Sequence, residues 1–183
     1  MDLKMKYRPR TFAEYANAEG AERLREVIAA APCKAALVAG FGCGKTVGAS
    51  LVVNALCCHN RTGLEPCGKC ERCRAIQAWY DRNSTGGLEG FFFLDGFCVV
   101  DSQKLNEDLL DKIRWNQIGD LKVIVFDEFH GASPKIHGAF LKFLEPQYKT
   151  TTLFCIPEEH LGKISRALFG RMQKIYIPPP TTE

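Results

Sequence analysis

The residues Ala39-Gly40-Phe41-Gly42-Cys43-Gly44-Lys45-Thr46 form the most informative segment of the chain. A short apolar run, 35–39, leads into them and a helical stretch follows, which together indicate a strand–loop–helix unit. Glycines allow successive backbone amides to curl inward, so that they face a phosphate at the positive end of the helix. The pattern is that of a phosphate-binding loop, with Ala39 at the first glycine position and Gly40 as its equivalent in a loop one residue shorter.

This loop predicts a site for ATP and magnesium. Lys45 would reach the β- and γ-phosphates, and the hydroxyl of Thr46 would hold Mg²⁺. The residues whose backbone would surround the phosphates are Gly40, Gly42, Cys43 and Gly44. The alternative is a glycine-rich turn that only opens a helix, so a second motif is needed to decide between the two interpretations.

The second motif is Val123-Ile124-Val125-Phe126-Asp127-Glu128, an apolar strand that ends in two acids. In phosphate-loop ATPases the first acid holds magnesium at the carboxyl end of the strand, and a neighbouring glutamate polarises the attacking water. Asp127 and Glu128 are the candidates for these roles. An acidic turn after a core strand would give the same letters, but the phosphate loop upstream favours the ATPase interpretation.

Apolar strands alternate with amphipathic helices along the chain, which predicts a parallel sheet with helices on both faces. The stretch 91–101 surrounds Asp95-Gly96 and fits either a tight hairpin or one broken strand, and the sequence does not separate these two. The predicted strands are 35–39, 121–126, 151–156 and 173–177. The predicted helices are 21–31, one that ends near 80, 105–113 and 133–145, the last opened by Ser133-Pro134.

Four cysteines predict a metal site. Cys58, Cys67, Cys70 and Cys73 follow Cys-x8-Cys-x2-Cys-x2-Cys, and the short spacings let the thiolates converge on one tetrahedral structural zinc ion. The rivals for the first ligand are Cys57 and His59. The cysteines expected to be small core residues are Cys33, Cys98 and Cys155.

Composition says little about partners. The net charge of +3, from 24 basic and 21 acidic residues, is too small to indicate nucleic-acid binding without clustering. No window approaches the run of about 20 apolar residues that spans a bilayer, and no export signal is visible, so we expect a cytoplasmic protein with no membrane partner.

The cysteine block also identifies a resemblance. After the phosphate-loop helix, Pro66-Cys67-Gly68-Lys69-Cys70-Glu71-Arg72-Cys73-Arg74-Ala75-Ile76 resembles the zinc module of the bacterial clamp-loader gamma/tau and delta-prime subunits. Tyr7-Arg8-Pro9-Arg10-Thr11-Phe12 resembles the opening motif of that family, near the adenine pocket. Asp127-Glu128-Phe129-His130 resembles its Asp-Glu-x-His box, and Phe140-Leu141-Lys142-Phe143-Leu144-Glu145-Pro146 resembles the helix that follows.

The resemblance implies a RecA-like AAA+ core over 1–183, with a zinc module at about 57–75 and without the lid and collar domains. It implies ATP, Mg²⁺ and Zn²⁺ as cofactors, with Tyr7, Arg8 and Pro9 at the nucleotide. It also implies that Arg171 is a finger that reaches the γ-phosphate of a neighbouring subunit. The implied partners are other clamp-loader subunits, a sliding clamp and primed DNA.

On this resemblance we expect a clamp-loader ATPase subunit of a DNA polymerase III-like holoenzyme. The chain departs from the family at Ala39 and at Pro157-Glu158-Glu159, where the family has a threonine that senses the γ-phosphate. Delta-prime relatives keep the fold without the ATPase, so the first rival is a structural subunit. The second rival is another phosphate-loop ATPase of DNA metabolism, such as a helicase loader, which the zinc block disfavours.

Overall fold

The computed structural model describes residues 7–83, 91–94, 96–116, 122–145 and 149–180. Within them lie six strands and six α-helices. The strands are β1 (Lys34–Ala39), β2 (Phe91–Leu94), β3 (Phe97–Asp101), β4 (Val123–Asp127), β5 (Thr151–Pro157) and β6 (Gln173–Tyr176). The helices are α1 (Ala18–Ala29), α2 (Lys45–Cys57), α3 (Glu71–Asn83), α4 (Glu107–Asn116), α5 (Pro134–Leu144) and α6 (Arg166–Phe169). None of these helices has the length and apolar character that crossing a membrane requires.

The six strands form one sheet in the order β2-β3-β4-β5-β1-β6. Five of them run parallel, as the sequence predicts, while β2 lies antiparallel to β3 at the edge, with Leu94 opposite Phe97. The stretch 91–101 is therefore a hairpin rather than one broken strand. Asp95 lies outside the described residues, but Gly96 has the positive φ of 91° that favours glycine in such a turn.

Helices cover both faces of the sheet, which confirms the predicted layers. Along β1, Leu37 belongs to an apolar cluster that includes Leu24 of α1, Leu51 of α2 and Ile76 of α3. Val38, the next residue, belongs to the cluster on the opposite face, which is shared with α4, α5 and α6. Strands buried on both faces read as unbroken apolar runs, and this is why short apolar runs in the sequence located them.

Aromatic rings support the carboxyl end of β4 from the second face. Phe126 stacks on Phe154 of β5 with ring centroids 5.2 Å apart, and it meets Phe140 of α5 edge-on at 4.8 Å. All three rings are fully buried. Pairs of this geometry add about 0.5–1.5 kcal/mol each beyond the area they bury. The packing therefore holds the strand that carries Asp127 in a defined position.

The helix boundaries follow capping residues. The hydroxyl of Ser133 accepts a hydrogen bond from the Ile136 amide, so α5 begins at Ser133-Pro134 as predicted. Helix α4 begins later than the predicted 105–113, because the Asn106 side chain accepts from the Leu109 amide and places the start of the helix after it. Leu105 packs in the core without being helical.

The predicted core cysteines are mostly confirmed. Cys98 and Cys155 are buried in strands β3 and β5. Cys33 is only half-buried, at the entrance to β1, where its thiol lies 3.6 Å from the Val27 carbonyl oxygen. It packs at the margin of the core rather than inside it.

Candidate functional site

The phosphate-loop segment forms a tight turn between the end of β1 at Ala39 and the start of α2 at Lys45. Gly42 and Gly44 have φ values of 76° and 82°, in the left-handed region that side chains rarely adopt. A Cβ on Gly44 would also lie 2.9 Å from the hydroxyl of Tyr15. Both glycines are therefore required by the backbone of the loop, as the sequence pattern predicts.

Lys45 folds back over the loop that it follows. Its Nζ donates to the carbonyl oxygens of Ala39 at 3.1 Å and Gly40 at 2.9 Å, and the residue is only 7% exposed. The amine is thus held at the start of the loop. Phosphate oxygens placed there would offer it charge-assisted hydrogen bonds, which are roughly twice as strong as bonds between neutral groups.

Thr46 and Asp127 come together from two different strand–loop connections. The Thr46 hydroxyl lies 3.4 Å from Asp127 Oδ2, although the two residues are far apart in sequence. Burial raises the pKa of Asp127, and the neighbouring charge of Glu128 adds to the shift. A divalent cation at this point would compensate a half-buried carboxylate, and hydroxyl and carboxylate oxygens are ligands that Mg²⁺ accepts.

Glu128 is the one non-glycine residue among those described with a positive φ, at 47°. Its Oε2 lies 3.3 Å from His130 Nδ1, without the geometry of a hydrogen bond. The His130 ring lies 4.1 Å from that of His160. Burial lowers the pKa of His130, and the neighbouring His160 lowers it further. The imidazole is therefore neutral at pH 7. The role of Glu128 in positioning water stays a prediction.

Tyr15 is a residue of the site that the sequence did not indicate. Its hydroxyl donates to the Gly44 carbonyl at 3.1 Å and lies 3.4 Å from that of Cys43. Burial raises the pKa of Tyr15 to about 12, so the phenol keeps its proton. The hydroxyl ties the carbonyl side of the loop to the segment before α1. No motif marks this contact, because it involves backbone atoms of the loop.

The segment after β5 touches the loop from the other side. Glu159 Oε1 accepts a hydrogen bond from the Phe41 amide at 3.3 Å. The His160 ring meets the Phe41 ring edge-on, with centroids 5.5 Å apart. The departure at Pro157-Glu158-Glu159 therefore lies at the phosphate loop itself, whereas the contribution of His160 had no signal in the sequence.

The amino-terminal motif packs against α3. Arg8 donates to the Tyr80 carbonyl at 2.7 Å, and its guanidinium lies 5.4 Å from the centre of the Tyr80 ring. The side chain of Tyr7 is 70% exposed and Pro9 is half-buried. The contacts of Arg8 position this segment, while a role for Tyr7, Arg8 and Pro9 at the adenine stays a prediction.

The four predicted zinc ligands converge. The sulfur atoms of Cys58, Cys67, Cys70 and Cys73 all lie within 4.8 Å of one another. Backbone amides of Cys67, Cys70 and Cys73 point at sulfurs of the cluster at 3.3–3.5 Å. Desolvation raises the pKa of Cys70, but hydrogen bonds from the backbone amides of Cys73 and His59 outweigh this effect, and the pKa falls to about 6. A set of four thiols with amide support fits a tetrahedral structural zinc ion.

The rivals for the first ligand lie apart from this cluster. The Cys57 thiol points to the Gly96 carbonyl at 3.4 Å, and Cys57 is buried. His59 is exposed and contributes a backbone amide to the cluster rather than its ring. Cys58 is therefore the residue that completes the group.

Arg171 follows α6 on an exposed surface. Its guanidinium donates to the Ala167 carbonyl at 3.0 Å and so lies against its own helix. The side chain is thus available on the surface of the molecule, as a finger directed at a neighbour would need to be. That role stays a prediction.

The fold matches solved structures of one class. RuvB of Thermotoga maritima, described as a Holliday junction branch migration motor, superposes with a TM-score of 0.54. The match covers 94% of this chain and 48% of that one, and at 16% sequence identity it shows the fold alone. Together with the parallel sheet and the phosphate loop, it confirms the AAA+ P-loop ATPase fold.

Within that class, the chain is similar to the gamma/tau subunits of bacterial DNA polymerase III. It is 32% identical over 155 residues to subunit tau/gamma of Haemophilus influenzae, a match over 80% of this chain and 21% of that protein. It is 31% identical over 150 residues to subunit tau of Escherichia coli, over 78% of this chain and 22% of that protein. These relatives confirm the resemblance indicated by the motifs.

The matched relatives are much longer proteins. The chain spans about a fifth of the length of the two relatives named above. It spans 36% of subunit gamma of Buchnera aphidicola, to which it is 30% identical over 139 residues. No model of a protein family matches the chain.

Proposed function

We propose that this chain is the nucleotide-binding core of a clamp-loader subunit. In this proposal it binds ATP with Mg²⁺ in a DNA polymerase III-type assembly and hydrolyses it while a sliding clamp is placed on primed DNA. The observation that carries the proposal is the convergence of Lys45, Thr46 and Asp127 at the carboxyl ends of β1 and β4. In open α/β sheets, ligands bind at the carboxyl ends of the strands.

Each residue of this group has a defined task in the proposal. The loop amides and Lys45 bind the phosphates and orient them, while Thr46 and Asp127 hold Mg²⁺, which neutralises charge on the phosphate oxygens. Tyr15 keeps the loop carbonyls turned away from the phosphates. Glu128 lies directly after Asp127, where a carboxylate can orient a water molecule toward the terminal phosphate.

The cysteine cluster serves stability rather than chemistry in this proposal. Four thiolates fill the coordination of a zinc ion and leave no open position for a substrate. The cluster joins the end of α2 to the start of α3 and so braces the helix that carries Lys45 and Thr46. The function of a helicase loader does not explain the four-cysteine module, and we therefore prefer the clamp-loader function.

A second candidate function is that of a structural subunit that binds nucleotide without turning it over. Two observations favour it. The Glu159 carboxylate accepts the hydrogen bond of the Phe41 amide in the loop, and the Glu128 carboxylate lies 3.3 Å from His130 Nδ1. This candidate uses the same fold and the same assembly surfaces.

Measurement of ATP hydrolysis, alone and in the assembly, tests the proposal. Because Arg171 lies against its own helix, the isolated chain lacks a finger at its own γ-phosphate, and an arginine finger contributes about 10³- to 10⁵-fold in rate. We expect the isolated chain to be nearly inactive. We expect hydrolysis to rise when the other clamp-loader subunits of the same organism, the clamp and primed DNA are added.

The control is Arg171→Ala, introduced in the copy that neighbours the active site. It should abolish the gain in hydrolysis while the folded state and nucleotide binding stay intact. Lack of stimulation by any partner, with nucleotide still bound, would favour the structural subunit. Rapid hydrolysis by the monomer, insensitive to Arg171→Ala, would contradict the clamp-loader mechanism.

A further inference from the structure

Two chain segments leave the sheet side by side at the phosphate loop. Strands β1 and β5 are parallel neighbours in which Ala39 pairs with Pro157. The phosphate loop begins after Ala39, and a 3-10 helix, Glu158–Lys163, begins after Pro157. The register of the sheet therefore fixes the acidic turn beside the loop.

One of the two acids of this turn enters the loop. Glu159 Oε1 accepts from the Phe41 amide at 3.3 Å and lies 3.5 Å from the position that a Cβ on Gly40 would take. The next residue, His160, holds the turn in place through its contact with the Phe41 ring. The amides of a phosphate loop serve to bind anionic oxygens, and a carboxylate oxygen here occupies one of them.

The charge of Glu159 supports this role. A hydrogen bond from its own backbone amide lowers the pKa of Glu159, and the Phe41 amide and the charge of Lys45 lower it further. The side chain is therefore an anion at neutral pH. It stands on the surface of the loop next to the lysine that would bind the phosphates.

The position corresponds to the outer end of a bound polyphosphate. A nucleotide places its inner phosphates at the amino terminus of the helix and its outer phosphates at the loop lysine. The Lys45 amine lies against the carbonyls of Ala39 and Gly40, at the start of the loop, directly before Phe41. The Phe41 amide is thus the backbone donor that directly follows the point where the Lys45 amine lies.

We infer that Glu159 occupies the place of the terminal phosphate and makes the site select nucleoside diphosphates over triphosphates. This inference rests on the proposed nucleotide site. A diphosphate fills the inner part of the loop and leaves the carboxylate in place. A triphosphate has to displace it, or accept two anions within a few ångströms.

Calorimetry of nucleotide binding tests the inference with a matched pair of variants. Dissociation constants for Mg-ADP and for the non-hydrolysable triphosphate analogue Mg-AMP-PNP are measured for the parent protein, Glu159→Gln and Glu158→Gln. Both variants remove one negative charge from the same exposed turn, but among the two acids Glu159 is the one that touches the loop. Thermal unfolding of each protein confirms that it is folded.

The parent should bind Mg-ADP more tightly than Mg-AMP-PNP. Glu159→Gln should increase the affinity for the triphosphate by about fivefold or more, because it removes the repulsion between the carboxylate and the terminal phosphate. It should change the affinity for the diphosphate much less, and Glu158→Gln should keep the ratio of the parent.

Two results would overturn the inference. In the first, Glu159→Gln leaves the ratio of the dissociation constants for Mg-ADP and Mg-AMP-PNP unchanged while both nucleotides still bind. In the second, Glu158→Gln shifts this ratio as much as Glu159→Gln does, which would show a general effect of charge. Both leave the proposed function standing. If none of the three proteins binds either nucleotide, the nucleotide site itself is wrong and this inference falls with it.

Discussion

Tyr15 shows how a single residue can shape the phosphate loop without touching a ligand. Its hydroxyl donates to the Gly44 carbonyl, and its ring lies where a side chain on Gly44 would be. The loop amides can face inward only if the loop carbonyls have partners elsewhere. Tyr15 provides one such partner and Lys45, through its amine, provides another.

Replacement of Tyr15 by phenylalanine should destabilise the protein by about 1 kcal/mol, because the Gly44 carbonyl loses its hydrogen-bond donor in a partly buried position. The affinity for Mg-ADP should fall as well, since the loop is less well ordered before binding. Urea unfolding and calorimetry measure the two effects. Tyr176→Phe, at a partly exposed position on β6, is the control and should change neither quantity. Equal behaviour of the two variants would refute this role.

At the scale of elements, the cysteine module connects α2 to α3. Its four sulfurs lie within 4.8 Å of one another, and three of them come from the short stretch 67–73. Without a shared ion, thiolates held so close would repel one another, and coordination to one zinc ion removes that repulsion. The module is therefore expected to be ordered by metal.

The purified, reduced protein should carry about one zinc ion per chain, and Cys70→Ser should remove most of it. The variant should lose stability in the segment between α2 and α3, whereas the phosphate loop should still bind nucleotide. Cys57→Ser is the matched control, because that thiol points to the Gly96 carbonyl instead of the cluster. Metal analysis that finds no zinc in the parent, or equal loss in both variants, would show that the cluster is not a zinc site.

The elements that the sequence predicts well are those whose signal is local. The phosphate loop, the acidic end of β4 and the cysteine cluster each depend on short spacings, and the buried strands show as apolar runs. The contacts of Tyr15 and Glu159 depend on which segments the sheet brings together. The pairing of Ala39 with Pro157 arises from strand order, which no local pattern contains. The hairpin at β2 likewise required the strand pairing to be known.

At the scale of the whole molecule, the sheet places the candidate site along the carboxyl ends of its parallel strands. The loop after β1, the acids after β4 and the turn after β5 all leave the carboxyl ends of neighbouring parallel strands. Helices on both faces bury the sheet and hold these ends in register. The domain organisation, with one AAA+ core and a zinc module, stays a prediction, and so does the role of Arg171 as a finger that acts on a neighbouring subunit.

The central claim is that the carboxyl ends of the parallel strands bind a magnesium nucleotide through Lys45. Calorimetry with Mg-ADP tests this claim most directly. The parent protein should bind, and Lys45→Ala should weaken binding about 10- to 150-fold, because a hydrogen bond to a charged group contributes about 1.5–3 kcal/mol. Lys174→Ala, which removes a cation from β6 next to Phe169, should bind as the parent does. Equal affinity of the parent and Lys45→Ala, or no binding by the parent, would contradict the account.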